Sequence, residues 1–236
     1  MTDASKQPLL TIALPKGRLT SEAVALLGQA GLDASAVLAD SRGLVSVDHG
    51  ARVQFLLAKP FDVPTFVEAG AADVGIVGKD VLLETDPGVV ELLDLGIGLC
   101  RLQLALPARA GGNGTDGPDG VLPRDRGRPL RVATRYPRTA GRYFEAQGIP
   151  AQVIALHGSI ELAPRVGLAD AIVDLVQTGR TLAANGLVPV ATLHTISARL
   201  IANPVRWKLK HDAVRRLLGE LRVVVASQRE AAGMTA

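Results

Sequence analysis

The sequence predicts an α/β protein with a largely parallel sheet. Three observations carry that expectation. Short apolar runs alternate with segments of helical period, and Gly or Pro stands at the junctions. The 236 residues are also 47% apolar, enough to bury a large core and too much for a disordered chain. At about 100–200 residues per domain, the length fits one domain or two small ones.

The elements follow in order. Leu9–Leu14 reads as a buried strand halted by Pro15-Lys16-Gly17-Arg18. Leu19, Ala23, Leu26, Leu27 and Ala30 then recur at helical spacing, and Gly31 supplies the stop. Val53–Ala58 is a second strand, and Pro64 suits the first position of a helix that ends at Gly70. Asp73–Val77 is a third strand, running into Gly78-Lys79-Asp80 and another helical turn. Cys100–Leu106 reads as a strand of a sheet that resumes at Leu130–Thr134. Between them, 108–129 is rich in Gly, Pro and Asp without periodicity; it reads as a long flexible surface loop or, alternatively, a linker. Thr139 suits a helix cap, with Gly148 after the helix end. Val153–Leu156 and Ala171–Val176 are strands, Val188–Ala202 is a long β-rich stretch, and Pro204–Arg222 has helical spacing.

Charge and composition narrow the function classes. The formal charge is +3, with 20 arginines against 6 lysines. Seven arginines (Arg124, Arg126, Arg128, Arg131, Arg135, Arg138 and Arg142) fall within nineteen residues, beside the single acid Asp125. A nucleic-acid patch is one reading and a solvated loop and helix face the other. Aromatics at 3% leave few stacking platforms, and no nucleic-acid partner is expected. No run of about 18 apolar residues occurs, so no membrane span is expected. The start MTDASKQP lacks the features of a signal peptide, and the lone Cys100 makes no internal disulfide; both fit a cytoplasmic setting. His49, His157, His194 and His211 are dispersed without metal-ligand spacing, so no protein-held metal is expected.

Three segments can carry chemistry. In Asp170–Leu182 a strand runs into Thr178-Gly179-Arg180-Thr181 and then a helix. Such a turn offers backbone N–H groups and hydroxyls to an anion at the positive end of a helix. Asp170 and Asp174, four apart, share a strand face and would repel a phosphate unless they met sugar hydroxyls or a cation. The same residues read equally as plain caps. Lys16-Gly17-Arg18 flanks a glycine with two cations between strand and helix, which suits an anionic ligand or an exposed basic turn. Gly78-Lys79-Asp80 lies at a strand end, where open sheets bind ligands, or forms a simple turn.

Taken in order, LPKGRL at 14–19, KPFDVPTFVEAGAADVGIVGKDVLLE at 59–84, RVATRYP at 131–137 and GSIELAPRVGLADAIVDLVQTGRTLAANGL at 158–187 resemble the ATP phosphoribosyltransferase family. The resemblance implies a two-lobed fold like type II periplasmic binding proteins, with mixed, mostly parallel sheets and a cleft between lobes. Lobe I would be 1–100 with 186–236, and lobe II 101–185. It implies transfer of the 5-phosphoribosyl group of 5-phosphoribosyl 1-diphosphate (PRPP) to N1 of ATP, with Mg²⁺ carried on the substrates. By the same likeness Thr178, Gly179, Arg180 and Thr181 hold the 5-phosphate. Asp170, Asp174 and Glu161, with Ser159 in the preceding turn, lie near the ribose. Arg18 and Arg42 neutralise the diphosphate beside Lys16. Gly17, Gly78, Lys79 and Asp80 fall to ATP. Gln177 stands where acidic or small polar residues are common, a mild departure. The chain length resembles the short form, which implies a regulatory subunit similar to histidyl-tRNA synthetase, in a homodimer or higher hetero-oligomer.

Overall fold

The computed structural model describes residues 9–39, 43–108, 128–231 and 233. In chain order they form β1 (Leu10–Pro15), α1 (Arg18–Gln29), α2 (Ala36–Ala39), β2 (Val45–Asp48) and β3 (Val53–Ala58). After a 3-10 turn at Pro60–Asp62 come α3 (Val63–Glu68), β4 (Val74–Gly78), α4 (Lys79–Thr85), β5 (Val90–Asp94) and β6 (Cys100–Pro107). Then follow β7 (Leu130–Thr134), α5 (Pro137–Ala146), β8 (Ala151–Ala155), α6 (Leu162–Arg165) and β9 (Ala171–Val176). The chain closes with α7 (Arg180–Ala184), β10 (Leu187–Ile196), β11 (Ala198–Ala202), α8 (Pro204–Leu209) and α9 (His211–Ala231). Two compact units result: Met1–Gly98 with Ser197–Ala236, and Leu99–Ile196. Among the described residues no helix is long and apolar enough to cross a membrane.

The first unit is a six-stranded sheet in the order β2-β3-β1-β4-β11-β5. β1 pairs in parallel with β3 and β4, while β11 runs antiparallel to β4 and β5. Alternation along β1 sends Ile12 and Leu14 to one face, packed with Leu26 and Leu27 of α1 and Leu217 and Leu221 of α9. Ala13 goes to the other face, against Val63 and Val67 of α3. The second unit is a five-stranded sheet in the order β10-β6-β9-β7-β8, with β7 parallel to both β8 and β9. Ala105, Ala133 and Ile172 of that sheet pack against Ala163 of α6 and Leu182 of α7.

Several expectations change. β2 carries no long apolar run, and its pairing with β3 makes it a strand. Val188–Ala202 is two strands. Ile196 pairs with Cys100 in the second sheet and Ala198 with Gly78 in the first, so the chain leaves one sheet for the other at Ser197. Residues 186–196, placed with the first lobe from the sequence, therefore lie in the second unit. Pro204–Arg222 is two helices meeting at Lys210, whose Nζ turns to Asp73 at 2.8 Å. Thr139 lies buried inside α5; Tyr136 occupies the cap position and Pro137 the first turn. Most of 108–129 falls outside the described residues.

At one end of the first sheet a buried polar cluster fixes the C-terminal helices. Asp73, 2% exposed, accepts from Thr11 N–H and Lys210 Nζ, both at 2.8 Å. Asn203 accepts from Val205 and Arg206 N–H as the cap of α8, and donates to the carbonyls of Val67 and Glu68. One side chain thus ties α8 to the end of α3. Asn203→Ala removes a cap and two side-chain hydrogen bonds to the end of α3, where Val67 O keeps the Gly70 N–H, so the unfolding free energy should fall by about 2 kcal/mol. An unchanged urea midpoint would contradict this role.

Candidate functional site

The second unit brings its sequence-predicted residues, Asp170 excepted, to one strand edge. β7, β8 and β9 run in parallel, so their carboxyl ends and the loops after them share that edge. The loops carry Arg135, Gly158-Ser159-Ile160-Glu161 and Gln177-Thr178-Gly179. Thr134, fully buried, shapes the first: its hydroxyl donates to Val173 O at 2.6 Å and accepts from Tyr136 N–H at 2.9 Å. Ile160, 3% exposed, anchors the second in the core. Ser159 just before it holds φ 52°, a left-handed conformation rare outside glycine. Gly179 caps α7 with φ 75°, which its lack of a Cβ permits. Thr178, Arg180 and Thr181 are exposed around it.

Asp174 stands on β9 two residues before the strand end, opposite Gln103 of β6. Burial pushes its carboxyl up to about 6, and the charge of Glu161 adds to the rise. The Leu175 N–H, donating at 2.8 Å, and Arg135 pull the other way. Asp174, Glu161 and Arg135 therefore form one electrostatic group beside the Thr178–Thr181 turn.

Asp170 is not part of it. It stands just before β9, about 13 Å from Asp174 at about 3.3 Å per residue. Arg128 grips its two oxygens at 2.8 and 2.9 Å, and Arg131 adds contacts at 3.1 and 3.3 Å and from its own N–H. The Arg128 hydrogen bond, foremost, holds this carboxyl far below the usual range. The structure thus separates the two aspartates and gives Asp170 to the arginines preceding and opening β7.

In the first unit, the carboxyl ends of β1 and β4 bring Lys16, Gly17 and Arg18 to the same sheet edge as Gly78, Lys79 and Asp80. Gly17 holds φ 123° and ψ −145°, a conformation that requires glycine, and its N–H donates to Thr20 Oγ1 at 2.8 Å. That pins the turn and leaves Lys16 and Arg18 exposed. Lys79 is engaged: its Nζ lies 2.6 Å from Glu91, and its N–H donates to Ser197 O. Arg199 ties Glu91 to Asp94, which also accepts from Ser197 Oγ. Asp80 is buried and folds over Gly78, where an added Cβ would meet its Oδ1. Arg42 lies outside the described residues, as do Arg124 and Arg126. Among the described residues no group of three or more His, Cys, Asp or Glu side chains is arranged to hold a metal.

Sequence reading missed Arg135 as a site residue and saw it only as one of seven arginines. The signal that singles it out is its place just after a strand whose parallel neighbour carries Asp174. The Glu91–Arg199–Asp94 network was also missed, because nothing local in sequence joins 91–94 to 199.

The fold and this edge define a class: a two-unit α/β protein of the kind seen in type II periplasmic binding proteins. The alkanesulfonate-binding protein SsuA from Xanthomonas axonopodis pv. citri shares that fold at TM-score 0.54 and 14% identity, over 97% of this chain and 77% of its own. The family is narrower. The sequence model described as "HisG: ATP phosphoribosyltransferase" matches residues 59–223. ATP phosphoribosyltransferase of Moorella thermoacetica is 46% identical over 95% of this chain and 94% of its own. That of Bacillus subtilis is 47% identical over 93% and 97%. The ATP phosphoribosyl transferase (HisG:HisZ) complex of Thermotoga maritima has a chain with TM-score 0.73 and 32% identity, covering 93% of this chain and 98% of that one. The chain belongs to the ATP phosphoribosyltransferase family, enzymes of histidine biosynthesis.

The two aspartates should respond oppositely to substitution. The Asp174 acid is raised from 3.8 to about 6 in the fold, so its stabilising contribution is full below pH 3.8 and lost as pH rises through 6. Asp174→Asn should therefore stabilise at pH 8, by at most about 3 kcal/mol, with the gain vanishing near pH 4. Asp170 is lowered, so its contribution is present above the unfolded value and lost in strong acid. Asp170→Asn should cost about 2 kcal/mol at neutral pH. Urea unfolding at pH 4 and pH 8 checks both, and equal shifts for the two variants would refute the contrast.

Proposed function

We propose that the chain transfers the 5-phosphoribosyl group of PRPP to N1 of ATP and releases diphosphate, opening histidine biosynthesis. The observation that carries this reading is the convergence of Asp174, Glu161 and Arg135 beside the Thr178–Thr181 turn in a chain of this family. The bond from adenine N1 to ribose C1 forms as the bond from C1 to the diphosphate oxygen breaks. The leaving diphosphate takes that electron pair. Adenine N1 attacks through a lone pair and carries no proton, so no general base is needed. Positive charge grows on the sugar, and catalysis rests on positioning and charge compensation.

Each residue has a role in that scheme. Thr178, Gly179, Arg180 and Thr181 hold the 5-phosphate through hydroxyls, backbone N–H groups and one guanidinium. Asp174, ionised above about pH 6, and Glu161 accept from the ribose hydroxyls, with Ser159 setting the turn that presents Glu161. Lys16, Arg18 and Arg42 supply positive charge for the diphosphate. Gly17, Gly78, Lys79 and Asp80 serve ATP. Mg²⁺ arrives on the diphosphate and triphosphate as part of the substrates. Asp170, committed to Arg128 and Arg131, drops out of the ribose site.

The Thermotoga maritima relative is described as a HisG:HisZ complex. By that likeness this chain works with a regulatory subunit similar to histidyl-tRNA synthetase, in a homodimer or higher hetero-oligomer. Its nucleotide substrates place the reaction in the cytoplasm. Purified protein with ATP, PRPP and Mg²⁺, with and without such a subunit, should release diphosphate; no release in either mixture sinks the reading. Arg18→Ala and Arg42→Ala should lower kcat about 100-fold with little change in KM, because they act on charge that develops at the leaving group. Thr178→Ala should instead raise KM for PRPP about tenfold.

A further inference from the structure

Asp174 and Glu161 place two interacting carboxylates at the carboxyl edge of the second sheet. A phosphorylated ligand approaching that edge meets repulsion unless a cation offsets them. The charged groups acting on Asp174 are Glu161, from the turn before α6, and Arg135, from the end of β7. β6 presents the uncharged Gln103 opposite Asp174, with its Nε2 donated to Thr192 Oγ1 at 3.0 Å. Thr192, Gln103 and Asp174 are successive cross-strand partners in one polar row. Thr134, the last residue of β7, pairs with Val173, so Arg135 follows the strand end one residue beyond that pair, as Asp174 does on β9. The Thr134 hydroxyl, bonded to Val173 O and Tyr136 N–H, fixes where β7 stops and hence where Arg135 leaves it.

We propose that Arg135 is a positioning residue for phosphoribosyl transfer, balancing the Asp174–Glu161 pair so that Asp174 stays a charged acceptor for the ribose. The proposal rests on the reading of Asp174 as a ribose-holding carboxylate. Arg135 acts through that carboxylate. Its loss therefore moves the pH dependence of PRPP use, beyond any change in folding. A lysine at 135 keeps the charge and restores most of the effect.

The test has two arms. In ligand-free protein, carboxyl ¹³C NMR follows the Asp174 titration, assigned by its absence in Asp174→Asn. Arg135→Ala should move that titration up by about half a pH unit or more, and Arg135→Lys should return it close to wild type. In turnover assays the acidic limb of kcat/KM for PRPP should move up by the same amount in Arg135→Ala. Arg135 is exposed, so the melting temperature should change by less than about 2 °C. An unshifted Asp174 titration in Arg135→Ala, or a Lys variant no different from Ala, overturns the proposal. Wild-type turnover by Asp174→Asn overturns instead the ribose role of Asp174, and the two failures are read from different variants.

Discussion

Parallel pairing of β7 with β8 and β9 decides what this chain can do at its second sheet. In a parallel ladder every strand ends at the same edge, so the residues following Thr134, Ala155 and Val176 meet although more than forty positions separate the first from the last. The pairing is reinforced by Thr134, a buried hydroxyl that spans from one strand to the next. With that register fixed, Arg135 falls beside Asp174. A slip of β7 by one residue would turn its side chains to the opposite face while those of β9 stayed where they are.

The charge pattern follows from the same geometry. Asp170 and Asp174 are four residues apart, yet one stands just before β9 and the other near its end. The start lies where β7 also begins, so Arg128 and Arg131 reach Asp170 and lock it as a permanent anion. The far end carries a half-buried carboxyl with another carboxylate acting on it and one arginine opposing. One aspartate stabilises the fold; at the other, burial and a neighbouring carboxylate oppose ionisation. Such local instability is common where a protein must bind.

Much of this was readable from the residues. Apolar runs located β1, β3, β6, β7 and β9 to within a residue or two, because a buried strand leaves a contiguous trace. The Thr178–Thr181 turn was legible because Gly179 punctuates a strand and a helix. β2 was not, since Val45 and Val47 on an edge strand are half-exposed and leave no apolar run. The division at Ser197 was hidden because both flanking strands are β-rich, and only pairing partners distinguish them. Asp170 misled for a related reason. Sequence spacing gives the face a side chain occupies but not what waits there, and the two arginines that claim it are about forty residues away.

The strand order also sets a timetable for synthesis on the ribosome. β5, at Val90–Asp94, joins its sheet only through β11, which is not made until Ala198–Ala202. At about 5–20 residues per second, β5 and the open edge of β4 wait about 5–20 s for β11 while the whole second unit is made. The second unit, begun later, has all its strands first, because β10 is its last and closes against β6. The nascent chain therefore passes through a stage in which the second unit has all its strands and the first sheet has five of six, lacking only β11. At that stage the apolar Val74–Gly78 edge stands exposed to any strand that arrives before its own.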